Sequence, residues 1–415
     1  MTLDYTSHPA EIVGSGEVKG VKKMVTIDDL KRAIPAHCFK PSYTKSLFFL
    51  VRDLLVISTF GSIAWFLIPQ IEHTPARCVA WMLYGYMQGL AFTGLWVLGH
   101  ECGHGSFSAS KLLNNTFGWV IHSSLMTPYF AWQSTHRRHH IYANNLAKDH
   151  NYVPPQAEQY ASVLGISAEH LESLDEMTED APLAAFGRLV MQQLLGWPMY
   201  LINNITASSG SLYGKQSDKL LGNSHLNPWS TLFRPEEAHL MIASDIGLAL
   251  TAGALYMAGQ KIGFASVALM YGQPYLWLNH WIVAITYLHH THPELPKYQP
   301  EAWTFIKGAL ATVDRNLGFA GKHMLHNIAD YHVIHHLFSR IPHYHTQQAT
   351  EAIQPLLGPQ YHQDRGNFNA AMWESFHKCQ WVKADDAEDE ADRAYWFKAG
   401  PMPPPESDMK RRAWI

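Results

Sequence analysis

The charge-free run Cys78–Gly99 and the motif that ends it, His100-Glu101-Cys102-Gly103-His104, decide how this chain is read. If the run is helical and continues through the motif, His100 and His104 lie one turn apart on one face. Two imidazoles so placed can share a metal ion, and the apolar run puts that ion at a membrane edge. The same letters spell H-E-x-x-H, the zinc-protease signature in which the glutamate is a general base. The motif alone leaves both readings open.

The flanking sequence extends the membrane reading. Leu54–Ile71 carries no charge and is just long enough to cross a bilayer core of ~30 Å at 1.5 Å per residue. The link Glu72–Arg77 is so short that the two runs must form a helical hairpin. A second pair follows, Leu240–Met257 and Ile262–Leu288. Gln273-Pro274 and Asn279-His280 predict a kink or an inward polar seam in its second member. Two further apolar segments, 116–132 and 184–202, are interrupted by polar residues and are expected to lie in the interface or against the site. The expected fold is all-α, a polytopic membrane protein. Its four transmembrane helices, about 54–71, 78–99, 240–257 and 262–288, form two hairpins under a cytosolic helical cap.

Charge gives the orientation. Of 31 Lys and Arg, eight precede Leu54, eight lie between His100 and His239, and thirteen follow His289; Arg77 and Lys261 alone fall in the hairpin tips. By the positive-inside rule both termini and the long polar segments face the cytosol, so sequons at Asn114 and Asn204 are expected to stay unmodified. The domains expected are a cytosolic segment 1–47, a membrane domain 48–380 and a tail 381–415. Thr26 starts a helix as its cap, and nothing at the N-terminus reads as a cleaved signal peptide. The tail holds the acidic run Asp385–Asp392, a Pro-rich stretch and Lys410-Arg411-Arg412. Acidic residues in 149–180 read as a solvated face. A net charge of −4 suggests no nucleic-acid partner. Four cysteines without a C-x-x-C pair argue against a disulfide scaffold and a cysteine zinc site.

Histidine is the compositional outlier, with 26 residues. His136-Arg137-Arg138-His139-His140 and His332-Val333-Ile334-His335-His336 share the pattern H-x-x-H-H, whose members converge on a helix. With His100 and His104 these make eight imidazoles, whereas a catalytic zinc takes three protein ligands. Eight suit two metals with four nitrogens each and an open position. Imidazole serves Fe, Cu, Zn and Ni alike. A pair of irons beside a membrane suits O2 activation and attack on an unactivated C–H bond.

The stretches HECGHGSFS (100–108), HRRHH (136–140) and HVIHHLF (332–338) resemble the three histidine boxes of membrane-bound fatty acid desaturases. The similarity extends through Ile285–Tyr298, Gly308–Arg315 and Pro342–His345 and covers roughly residues 30–380. The flanking segments look like the acyl-lipid branch, in the style of fungal Δ12 and ω3 enzymes. The resemblance implies a cytosolic di-iron centre held by His100, His104, His136, His139, His140, His332, His335 and His336, completed by His290 after the fourth span. It implies structural roles for His289, His292 and His326, and a Glu101 that orients an imidazole by a hydrogen bond.

The activity implied is insertion of a cis double bond into a membrane-lipid acyl chain, using O2 and two electrons, in the endoplasmic reticulum membrane. No H-P-G-G segment of a fused cytochrome b5 occurs. Electrons are therefore expected from separate membrane cytochrome b5 and its NADH-dependent reductase. Glu101 and Arg138 look like Δ12 enzymes, which act on oleoyl chains, whereas Gly105-Ser106 and Ile334 look like ω3 enzymes. A bifunctional Δ12/ω3 enzyme, a hydroxylase, an acetylenase or a conjugase would use the same boxes. A membrane zinc protease or a metal carrier are the readings from other classes.

Overall fold

The computed structural model describes residues 25–168, 170–171 and 182–398, and four long helices in two hairpins form its frame. The first hairpin pairs Tyr43–Leu67 with Thr74–His104. The second pairs Ala238–Ile262 with a run made of Phe264–Val267, the π-helical turn Ala268–Gly272 and Gln273–His290. That turn lies directly before Gln273-Pro274, and π-helical turns are a usual cause of kinks. Thr74–His104 continues through the histidine motif and stops at Gly105, whose φ of 74° closes the last turn in the left-handed region.

Three expected boundaries shift. The first long helix starts well ahead of Leu54, with the Ser42 side chain capping the Lys45 N–H. Arg52 and Asp53 ended the charge-free run but do not end the helix, because buried Asp53 meets Arg52 and, at 2.6 Å, His326 Nε2. The segment 116–132 divides into Lys111–Ser124 and Tyr129–Tyr142. Thr127 precedes Pro128, which disfavours helical backbone at that position, and Met126 turns with φ 52°. The tail expected from 381 begins inside the folded body. Val382–Ala384 pairs antiparallel with Ala394–Phe397, which pairs with Lys297–Tyr298, and Val382 and Phe397 bury against Leu146 and Cys379. The end of the acidic run 149–180, the Pro-rich stretch and Lys410-Arg411-Arg412 lie outside the described residues.

Tyr43–Gln70 and Pro235–Ile262 are long and apolar enough to cross a membrane. Their large side chains point outward, with Leu55 62% and Phe66 66% exposed, an apolar surface that water does not favour. Pro182–Asn203 packs Trp197, Tyr200 and Leu201 inward yet leaves Phe186, Met191 and Leu195 exposed, as an interfacial helix would. Asn114 and Asn204 are both buried.

The hairpins join where the second long helix runs along the fourth. A Cβ on Gly85 would enter the Gln273 side chain, and one on Gly89 would enter Trp277. This G-x-x-x-G spacing lets the two backbones approach closely. Because 85 faces 273 and 89 faces 277, the helices run parallel and deliver His100–His104 and His290 to the same end. Gly89→Leu is therefore expected to lower stability by about 1–3 kcal/mol through overpacking, read as a lower unfolding midpoint in detergent. An exposed substitution such as Leu112→Ala should leave that midpoint unchanged.

Candidate metal centre

Four helices end at one place. The last turns of Thr74–His104, Tyr129–Tyr142, Gln273–His290 and His332–Leu337 carry His104, His139 and His140, His290, and His335 and His336. Helix C-termini bear partial negative charge and favour a cation. Burial pushes the imidazoles of His136, His140, His335 and His336 well below the ordinary histidine range, and neighbouring imidazoles push the same way. The rings therefore stay neutral, each with a lone pair to offer.

All nine histidines singled out in the sequence meet here, in two groups. The ligating atoms of His100, His104, His136, His140 and His335 lie within 4.8 Å of one another, as do those of His139, His290 and His336. His332 joins the second group, its Nε2 3.2 Å from Nε2 of both His290 and His336. The groups abut through the His140 and His336 rings, stacked 4.2 Å apart between centroids.

The spacing suits metal ions. Two nitrogens about 2.0–2.1 Å from one ion stand roughly 2.8–3.4 Å apart at octahedral or tetrahedral angles. Nε2 of His100 lies 3.2 Å from that of His104 and 2.9 Å from that of His136. His139 and His290 are 3.3 Å apart in the same way. The buried Nε2 of His335, a ring of the first group, has no hydrogen-bond partner, which leaves it a lone pair that a cation can take up.

Surrounding groups orient the rings. The Asp149 carboxylate accepts from His139 Nδ1 at 2.6 Å, and the Ile328 carbonyl from His332 Nδ1 at 3.1 Å. Each bond fixes the tautomer that leaves Nε2 free to face the centre. Lys297 Nζ donates to the His290 carbonyl at 2.5 Å. Asp314 accepts the Val333 N–H at 2.7 Å and the Tyr361 hydroxyl, pinning the start of the third histidine helix. Burial pushes the Asp314 carboxyl up to about 7, against those two bonds. His289 and His326 take structural partners, the former the carbonyls of Ile285 and Ala329. His292 accepts the Glu294 N–H.

Glu101 does not hold an imidazole. Its carboxylate accepts the backbone N–H of His343 at 2.9 Å, tying the first histidine helix to the turn at 342–345. This carboxylate is engaged with the His343 backbone rather than with a ring of the cluster. That places it poorly for the general base of a zinc protease.

A narrow cavity of about 70 Å3 reaches the centre between Trp96, Trp132, Trp197 and Tyr200. His136 and His139, one from each group, are among its lining residues. Its lining is largely apolar and holds no Asp, Glu, Lys or Arg. Sequence reading missed Asp149, Lys297 and Asp314. Asp149 opened the acidic run taken as a solvated face, and it is buried. Only the tertiary fold brings it to His139.

Asp149→Ala leaves His139 free to rotate. It should lower metal retention about 10–100-fold, measured by elemental analysis after chelator washing, while Asp386→Ala should not.

The comparisons agree with this geometry. The family model for fatty acid desaturases matches residues 75–366. An oleate hydroxylase of Claviceps purpurea is 43% identical over 371 residues, 86% of this chain and 77% of its own length. A Delta(12) fatty acid desaturase of Mortierella isabellina is 40% identical, covering 86% of this chain and 88% of its own. A Delta(12) acyl-lipid conjugase of Impatiens balsamina is 39% identical over 87% and 88%. On a match of that extent, which spans all nine converging histidines, the chain belongs to the fatty acid desaturase family.

Proposed function

We propose that this protein desaturates an oleoyl chain at the Δ12 position, on a membrane lipid, to give a linoleoyl chain. The observation that carries this is the largely apolar cavity lined by one histidine from each of two metal-fitting groups, in a chain whose relatives include Δ12 desaturases. The nine histidines would hold two non-heme irons, which when bound supply O2-dependent oxidation of an unactivated C–H bond. The overall change takes one hydrogen from each of two adjacent methylenes and consumes O2 and two electrons.

The chain's own residues do the positioning. Trp96, Trp132 and Trp197 enclose the acyl chain and exclude water. Methylenes are chemically alike, so the depth of the cavity selects the carbon pair. Asp149, through His139, keeps one wall of the centre fixed. Hydroxylation at the same carbon is a second reading, favoured by the likeness to the Claviceps enzyme.

The remaining proposals concern setting. All four long helices cross the endoplasmic reticulum membrane, with the termini and the centre cytosolic. Cytochrome b5 and its NADH-dependent reductase supply electrons. The outward apolar surfaces of the first and third long helices and the charge split support the topology.

Expression in a yeast that makes no polyunsaturated lipid tests the activity. Linoleate should appear, and His335→Ala should abolish it and lower iron content from about two per chain. A 12-hydroxy product alone would replace the first reading by the second, and neither product with one zinc bound would overturn both. In sealed microsomes, cysteine tags beside Arg77 and Lys261 should be reached from the lumen and a tag beside His323 from the cytosol.

A further inference from the structure

A second kind of metal-ligating cluster lies apart from the nine histidines. His37, Cys38 and His345 bring their ligating atoms within 4.8 Å of one another. His37 and Cys38 sit in the 3-10 turn Ala36–Phe39, and His345 ends the turn His343–His345. Sequence spacing argued against a cysteine-containing zinc site because no second cysteine stands nearby. The fold supplies the missing ligands from a segment about 300 residues away.

The separation of His37 and Cys38 fits a tetrahedral ion. A zinc–nitrogen bond of about 2.0–2.1 Å and a zinc–sulfur bond of about 2.3 Å put nitrogen and sulfur roughly 3.6 Å apart at a tetrahedral angle. Cys38 Sγ lies 3.7 Å from His37 Nε2. The Gln348 Oε1 atom lies 3.6 Å from that sulfur and 2.7 Å from that nitrogen. His37 and Gln348 are exposed while Cys38 is buried, so the cluster opens to solvent on one side, where an ion enters and water can complete its shell. A thiolate with two imidazoles is a zinc donor set. Lys45, which acts on the His345 ring, opposes a second cation, and the negative charge of the thiolate offsets that repulsion.

We infer that His37, Cys38 and His345 form a structural zinc site, independent of the nine-histidine centre, that clips the N-terminal segment to the helix Thr346–Leu357. The same segment already packs there, with Leu30 and Ile34 in one buried cluster with Ile353 and Leu357. Phe39, next to Cys38, meets the Phe338 ring at 5.6 Å, just beyond His336. The clip therefore braces the backing of the third histidine helix without touching its nitrogens.

Full-length protein in detergent, loaded with zinc and washed with a weak chelator, should keep about one zinc per chain at this site. Cobalt in its place should give a thiolate-to-cobalt charge-transfer absorption, which no histidine site can produce. Cys38→Ser should remove that absorption and the retained zinc, leaving the metal at the nine-histidine centre unchanged. His37→Asn alters an exposed side chain and should weaken zinc retention at least about tenfold even if Cys38→Ser fails to fold. No charge-transfer band in the unaltered protein, or zinc retention indifferent to His37→Asn, would overturn the site and leave a hydrogen-bonded surface cluster around Gln348. Because the band requires sulfur, this outcome is read independently of whether the histidine centre holds iron.

Discussion

Nine imidazoles packed nitrogen to nitrogen are the constraint on which this fold depends. Burial holds His136, His140 and His336 well below the ordinary histidine range, so protonation does not relieve the crowding of their lone pairs. The partial negative charge of four helix C-termini points at the same place. Without a counter-charge this would be a poor core; with divalent cations it is a favourable one. The carboxylates Asp149 and Asp314 stand one step back, where they orient rings and backbone rather than compete for the ions.

Delivering those helix ends is the task of the frame. Gly85 and Gly89 let two parallel backbones come close enough that the ends carrying His104 and His290 arrive together. Asp53 shows the same economy. An acid inside a long apolar helix is tolerated because His326 and Arg52 receive it, and that pairing ties the first helix to the loop beside the centre. Apolar surface that cannot be buried against protein is left facing outward, where lipid is the solvent that suits it.

Much of this is legible in the residues because the decisive signals are local. H-x-x-H-H and H-E-x-x-H report which nitrogens share a helix face, and charge-free runs report where long helices lie. The boundaries were less legible: a charge-free count stopped at Asp53, since its partner is 273 residues distant in sequence. Glu101 was misread for a related reason. The family resemblance implies that it supports a ring, but its acceptor role toward the His343 backbone exists only once the turn at 342–345 has folded over it. Asp149, Lys297 and the meeting of Cys38 with His345 have no short-range signature at all.

The helix Tyr129–Tyr142 gives His136 and His140 to one group and His139 to the other, and His332–Leu337 likewise divides His335 from His332 and His336. The separation of the two ion positions is thus written into the pitch of two helices, at 1.5 Å rise per residue, rather than into flexible loops. Filling one position orders the same turns that the other position needs, which lowers the entropy still to be lost there. Were ions to fill both positions, that shared ordering would favour joint over half loading, set against the repulsion between the two cations.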